Sequence, residues 1–411
     1  MRRLLLALLP VAAQAQVPPV YNVEGVPGKY ILYSNNVLVS RYNTQPECST
    51  AATKLKQTTS KTVICQNTVT YIRTPKPVEP PPDMHVGLPV SDPSTWPVPQ
   101  PGVDGEWLAQ TGYIPPSRVT WGWEEGGDFR LICNWSKMGY DDPIVYPGKP
   151  GAAHHHTFFS NTAIDAFTTS ANIRSKGNAT CRGGTINKSG YWIPSLIDTA
   201  TNRPLAPKDL LIYYKTGNWP YFNNNPPIAP LPPGLKMIAG DPTRTTAGGV
   251  GTWLCLIPST GSDRPGTKGS SIPTNCQPGD ELWANIPFPQ CWDGKNLDSP
   301  DHKSHLAYHI QFWTGDPQRQ YRCPDTHPVV LPAITFLPKW NVPADPAQLA
   351  KWRLSSDVYS GPAGYSLHGD WINGWDPAIT ELWGQKCMTE KRDCGSANLG
   401  DGRVTQEFQG N

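Results

Sequence analysis

Forty-six prolines and 37 glycines in 411 residues set the first limit on how this chain folds. Proline removes a backbone donor and fixes φ, and glycine eases tight turns while weakening helices. Long helices are therefore disfavoured, and short strands joined by shaped loops are favoured. From residue 107 onward the sequence supplies such strands: RVTWGW, FRLICNWSKM, DLLIYYKTG, GTWLCLIP, ELWANIPF, SHLAYHIQFWTG and HPVVLPAITFLP. Each is short, rich in branched or aromatic residues, and bounded by turn-formers. The expectation is a mainly β fold, a β-sandwich or jelly-roll-like large domain with long loops and few short helices. PAITELWGQKCM is the best helix candidate, with Asp376 as its N-cap ahead of Pro377.

Three segments precede that domain. Arg2 and Arg3, the apolar run LLLALLPVAA and Ala13-Gln14-Ala15 read as a signal peptide over residues 1–15, which implies export to an extracellular or periplasmic space. No later run approaches the roughly 18 apolar residues of a transmembrane helix. Residues 20–74 read as a small α+β module of ββαββ order, and residues 75–106 as an extended, proline-rich linker. The main domain then spans 107–411. Ten cysteines with no CxxC pair point to disulfides rather than thiolate metal sites. Cys48/Cys65, Cys255/Cys276, Cys291/Cys323 and Cys387/Cys394 are close candidate pairs, leaving Cys133/Cys181, although spacing alone does not fix connectivity. Without Arg2 and Arg3, 33 of the 35 basic residues remain, against 33 acidic ones, so electrostatic capture of nucleic acid or an acidic membrane is not expected.

Three blocks carry the polar chemistry. GAAHHHTFFSNTAID holds His154, His155 and His156; strand alternation places 154 and 156 on one face and 155, expected to face solvent, on the other. FPQCWDGKNLDSPDHKSH concentrates Trp292, Lys295, Asn296, Asp298, Asp301, His302, Lys303 and His305, where carboxylates beside imidazoles suit general acid–base work. A structural hydrogen-bond knot would use the same residues. GYSLHGDWINGWDP brings His368, Asp370 and Trp371 within four residues, with Trp371 or Trp375 as a cleft wall. The candidate catalytic set is His154, His156, Asp301, His302, His305, His368 and Asp370. The candidate substrate contacts are Trp292, Lys295, Asn296, Lys303 and Trp371. The expectation is that the three blocks meet at one cleft.

As an ordered set, DDPIVYPG, the His-x-His-x-Phe-Phe pattern at 154–159, CRGGTINKSGYWIPSL, LPPGLKMIAGD, FPQCWDGKNLDSPDHKSHLAY, HPVVLP and SLHGDWINGW resemble the domain of unknown function 1996 family of secreted fungal and bacterial proteins. The resemblance covers about residues 107–390. It implies secretion and a cell-wall polysaccharide context, and no particular reaction. The expected function is cleavage of a polysaccharide by His/Asp acid–base chemistry, as a lyase or a glycoside hydrolase. Glu124 or Glu125 are alternative carboxyls for a hydrolase, and sixteen tryptophans are either core or sugar-stacking platforms. The alternatives are a non-catalytic cell-wall glycan-binding protein and a His-ligated metalloprotein with a divalent metal as cofactor.

Overall fold

The computed structural model describes residues 30–34, 37–42, 48–51, 53, 63–67, 87–117, 127–216, 227–312, 320–395 and 397–407. The chain divides into two units, Met1–Pro82 and Asp83–Asn411. In the first, Tyr30–Ser34 pairs antiparallel with both Val37–Tyr42 and Val63–Asn67. Residues 48–51 and 53 are helical, and Cys48 is buried and disulfide-bonded. The expected signal peptide, the fourth strand of the module, RVTWGW, Glu124 and Glu125 lie outside the described residues.

Twelve strands form the two large sheets of the second unit. In chain order they are β1 (Asp128–Cys133), β2 (Trp135–Gly139), β3 (His156–Ser160), β4 (Gly190–Pro194), β5 (Asp209–Lys215) and β6 (Lys236–Gly240). There follow β7 (Thr252–Ile257), β8 (Ser262–Asp263), β9 (Glu281–Pro287), β10 (Ala333–Asn341), β11 (His368–Ile372) and β12 (Asp393–Cys394). One sheet has seven strands in the order β8-β7-β9-β10-β5-β1-β12, the other five in the order β6-β11-β4-β3-β2. All neighbours are antiparallel except β12 with β1.

Alternation decides what lies between the sheets. Phe129, Leu131, Leu210, Ile212, Leu282, Ile286 and Phe336 of the larger sheet join Phe159, Tyr191, Ile193, Met237 and Trp371 of the smaller in one core. This is a sandwich, and its tryptophans are largely core: Trp192, Trp253, Trp340, Trp371, Trp375 and Trp383 are fully buried. FRLICNWSKM is two strands rather than one. The chain crosses between sheets at Asn134, and the Cys133–Cys181 disulfide sits at the crossing. Cys255–Cys276, Cys291–Cys323 and Cys387–Cys394 are also bridged.

The helix α1 (Pro377–Trp383) starts at Asp376, whose side chain accepts from the Ala378 amide, and continues into a π-helical turn, Gly384–Thr389. SHLAYHIQFWTG breaks into Leu306–Ala307 and Ile310–Phe312, so His305 lies in the preceding turn and not on a shared strand face with His309. The second half of the expected linker belongs to the second unit. Leu88 donates to Ser355, Ser91 to Asn202 and Val103 to Ala179, because the extended backbone that prolines impose is also one that strands and loops can hydrogen-bond.

The outer face of the five-stranded sheet positions the site. Phe158, Trp192, Ile238 and Ile372 point outward from it and are covered by Ile144, Ile164 and Ile173, forming a second, smaller core. His156, His368 and Asp370 share that outward face by the same alternation.

Candidate functional site: a buried histidine–aspartate cluster

β3 and β11 flank β4, and both begin on a histidine. Pro194 pairs with His156 and Trp192 with Asp370, so the two histidines stand at the same level on either side of β4. His154, in the turn before β3, places its ring 4.2 Å from that of His156 and 5.0 Å from that of His368. The cover segment contributes Asp142, whose Oδ1 accepts from the amides of Ile144 and Val145, both at 2.9 Å. One ligand atom from each of His154, His156 and His368 lies within 4.8 Å of the others, and the same holds for Asp142, His156 and Asp370.

Two backbone carbonyls set the protonation of the rings. His156 Nδ1 lies 3.0 Å from the Asp141 carbonyl and His368 Nδ1 2.7 Å from the Ser366 carbonyl. A carbonyl only accepts, so each Nδ1 carries the proton and each Nε2 presents a lone pair to the cluster. His154 Nε2 is 3.1 Å from His368 Nε2 and donates to it. His156 Nε2 and Asp370 Oδ2 are buried without a hydrogen-bond partner among the described residues.

The electrostatics follow from burial. His156, His368, Asp370 and Asp142 are 0, 2, 1 and 4% exposed, so the cluster is shielded from solvent. Burial holds His156 down at about 4, and burial, with the repulsion that a charged His156 would add, holds His368 at about 3, so both rings are neutral at pH 7. Burial, and then the neighbouring Asp142 charge, push the Asp370 carboxyl well up; burial also raises Asp142.

His155 is wholly buried rather than solvent-facing. Its Nδ1 is 2.8 Å from Ser195 Oγ, and the rings of Trp96 and Tyr140 meet it edge-on, so it fastens the 87–106 segment to the sandwich. Trp371, expected as a substrate contact, lies in the core between the sheets, because its place in β11 is out of phase with His368 and Asp370. Trp375 is likewise buried and donates to Tyr214.

Most titratable groups of the 288–305 loop are occupied with the loop itself. His305 is buried, with Nε2 donating to the Lys236 carbonyl at 2.7 Å and Nδ1 2.9 Å from Ser299 Oγ. Asp301 Oδ1 accepts from Ser299, Lys303 and Ser304; although burial opposes it, the Ser304 and Ser299 bonds hold this carboxyl far below its ordinary range. His302, at φ 57°, and Lys236 both bond Asp298 at 2.8 Å. Asp293 caps the amides of Lys295 and Asn296, leaving both side chains at the surface, and half-buried Trp292 donates to the Asn296 carbonyl. Together these bonds clamp the loop along β6. Lys303 is the loop's link to the cluster: its Nζ donates to the Gly240 carbonyl at 3.0 Å, opposite His368 in the sheet.

The structure thus gathers His154, His156, His368 and Asp370. It adds Asp142, which the sequence reading passed over although it stands in DDPIVYPG, where a proline directly follows two carboxylates. A family profile described as Domain of unknown function (DUF1996) matches residues 142–375, from Asp142 through the third block. No curated protein and no solved structure matches the chain.

Proposed function

The chain belongs to the Domain of unknown function (DUF1996) family, and on that premise we propose that it is an exported metalloprotein whose divalent ion is held by His154, His156 and His368 with Asp142 and Asp370. The observation that carries this reading is the convergence, within 4.8 Å, of the His156 nitrogen with the carboxylates of Asp142 and Asp370, and of the His154, His156 and His368 nitrogens, with Asp370 Oδ2 unpartnered among the described residues. Unpaired buried acceptors cost stability in the absence of a cation, so a fold that keeps them suggests a ligand that repays the cost. Carbonyl groups fixing each Nδ1–H are the usual outer support of metal-bound imidazole. Three nitrogen donors favour zinc or copper over calcium or magnesium, which prefer oxygen. The four disulfides among the described residues of the second unit suit an oxidising compartment.

Titration of chelator-treated protein with zinc or copper, in competition with a chromophoric chelator, tests the proposal. One ion per chain is expected. His156→Ala and His368→Ala should each lose more affinity than the roughly 10–100-fold that removal of a merely supporting residue costs. Absence of saturable binding would end the reading.

A second reading retains polysaccharide cleavage, by lyase or hydrolase chemistry, at the same residues. It is favoured by the raised carboxyl pair, which supplies a protonated acid beside the unpartnered His156 Nε2. A screen against neutral and uronate polysaccharides, following reducing ends and double-bond absorbance with and without chelator, tests it using His368→Ala as control. Glycan binding without turnover in both proteins would instead support a cell-wall binding module.

A further inference from the structure

Next to the strand end that carries His368, a cleft of about 110 Å³ opens to solvent. Gly240 and Leu367 line it, and Leu367 directly precedes His368. Tyr308 and Tyr365 stand on its walls, with Ser270 and Arg244 among the polar groups. Tyr308 is 38% exposed, with its hydroxyl tied to the Pro287 carbonyl, and Tyr365 stacks on Tyr359 at an interplanar angle of 10°. Both rings are therefore held in place.

The Arg244 guanidinium is unusual in that its Nε is buried yet has no hydrogen-bond partner among the described residues. Gly248 and Gly249, at φ 112° and 94°, let the backbone lie against it; a Cβ on Gly249 would sit 3.1 Å from Arg244 Nε. Lys303, behind the lining, donates from Nζ to the carbonyl of Gly240, which lines the cleft. The opposing charge is Asp241, whose Oδ2 lies 3.9 Å from Arg244 while its Oδ1 accepts from the Thr243 amide and hydroxyl. Two cations, Arg244 and Lys303, against the one carboxylate of Asp241 leave the cleft a net attraction for an anion.

We propose that this cleft binds a uronate residue of an acidic glycan, its carboxylate on Arg244, drawn also by the charge of Lys303, and its ring against Tyr308 and Tyr365. A planar guanidinium pairs with a carboxylate through directed N–H bonds, and a pyranose offers an apolar C–H face to an aromatic ring. A cavity of about 150 Å³ admits one benzene ring, so this smaller cleft takes the carboxylate end of one sugar, whose ring lies across the open mouth with the rest of the chain outside. The inference stands on residues apart from the metal ligands.

Calorimetric titration of the whole protein with trigalacturonate, its methyl ester and sodium acetate tests it, with zinc binding measured on the same samples. Trigalacturonate should bind. The methyl ester, and trigalacturonate on Arg244→Gln, should bind roughly tenfold or more weakly, as loss of a charged hydrogen bond implies. Tyr365→Ala should also weaken binding, while zinc stoichiometry stays unchanged in both variants. Equal affinity for acid and ester, an Arg244→Gln variant that binds like the parent, displacement by equimolar acetate, or no binding of trigalacturonate would each overturn the proposal. Those results leave the zinc titration to report separately on the histidine cluster.

Discussion

Asp370→Asn is the perturbation that separates a metal centre from a structural cluster, because the two accounts give opposite signs. In the ion-free protein, Asp370 Oδ2 and His156 Nε2 are both buried acceptors without partners. Each such group costs about 1–3 kcal/mol. An asparagine amide supplies an N–H to His156 Nε2 and replaces a carboxyl whose ionised form burial and Asp142 disfavour. The variant should therefore gain about 1–3 kcal/mol over the parent in chelator. At about 2 °C per kcal/mol, the figure for larger domains, its midpoint rises by roughly 2–6 °C. Zinc at a hundredfold excess over Kd should stabilise the parent by about 2.7 kcal/mol, or roughly 5 °C, and the variant by far less. Thermal unfolding with and without zinc reads the crossover. A variant less stable than the parent in chelator, or shifted equally by zinc, would refute the reasoning.

Other perturbations probe the frame around the cluster. His305→Ala removes two part-buried hydrogen bonds of the clamp and should lower denaturant stability by about 1–3 kcal/mol, leaving zinc affinity intact; loss of zinc binding in the folded variant would place His305 in the centre. Gly240→Ala puts a Cβ 2.3 Å from the Leu367 carbonyl oxygen and 2.8 Å from His368 Cα at φ 86°. It should shift His368 and weaken zinc binding at least about tenfold, with about 1–2 kcal/mol of backbone strain; unchanged zinc affinity would contradict that placement. Trp371→Ala should cost about 3–5 kcal/mol as a core deletion, measured by denaturant unfolding.

Asp301 provides the pH test. Its carboxyl is held below its ordinary value of 3.8 in the folded chain, so its contribution is present above that value and is lost as pH falls through the folded one. Asp301→Asn should flatten the acid limb of the stability profile below about pH 4, and an unchanged limb would contradict the assignment.

The sandwich was legible because alternation survives in strands such as DLLIYYKTG, and because prolines and glycines mark their ends. The five pairs of the cysteine reading include the four bridges the structure describes. Local pattern could not show where a continuous apolar run changes sheets, as at Asn134, or where it breaks, as at Tyr308. The cluster was half legible. His154, His156, His368 and Asp370 stood out by type and by a period of two, but the same period should have placed Trp371 on the opposite face of its strand. The 288–305 loop drew attention for its density of charge. In the fold, that density is used on bonds within the loop and along β6, and a one-dimensional sequence does not distinguish groups aimed at each other from groups aimed at a ligand. Asp142 was missed because its neighbours in space come from β3 and β11, far away in the chain.

The most direct test is anomalous diffraction at the zinc edge from crystals of the zinc-loaded protein. The account predicts one strong peak about 2.0–2.2 Å from Nε2 of His156 and His368 and within ligand distance of a carboxylate oxygen. A map with no peak among these side chains, or with its zinc bound only at surface residues, would contradict it.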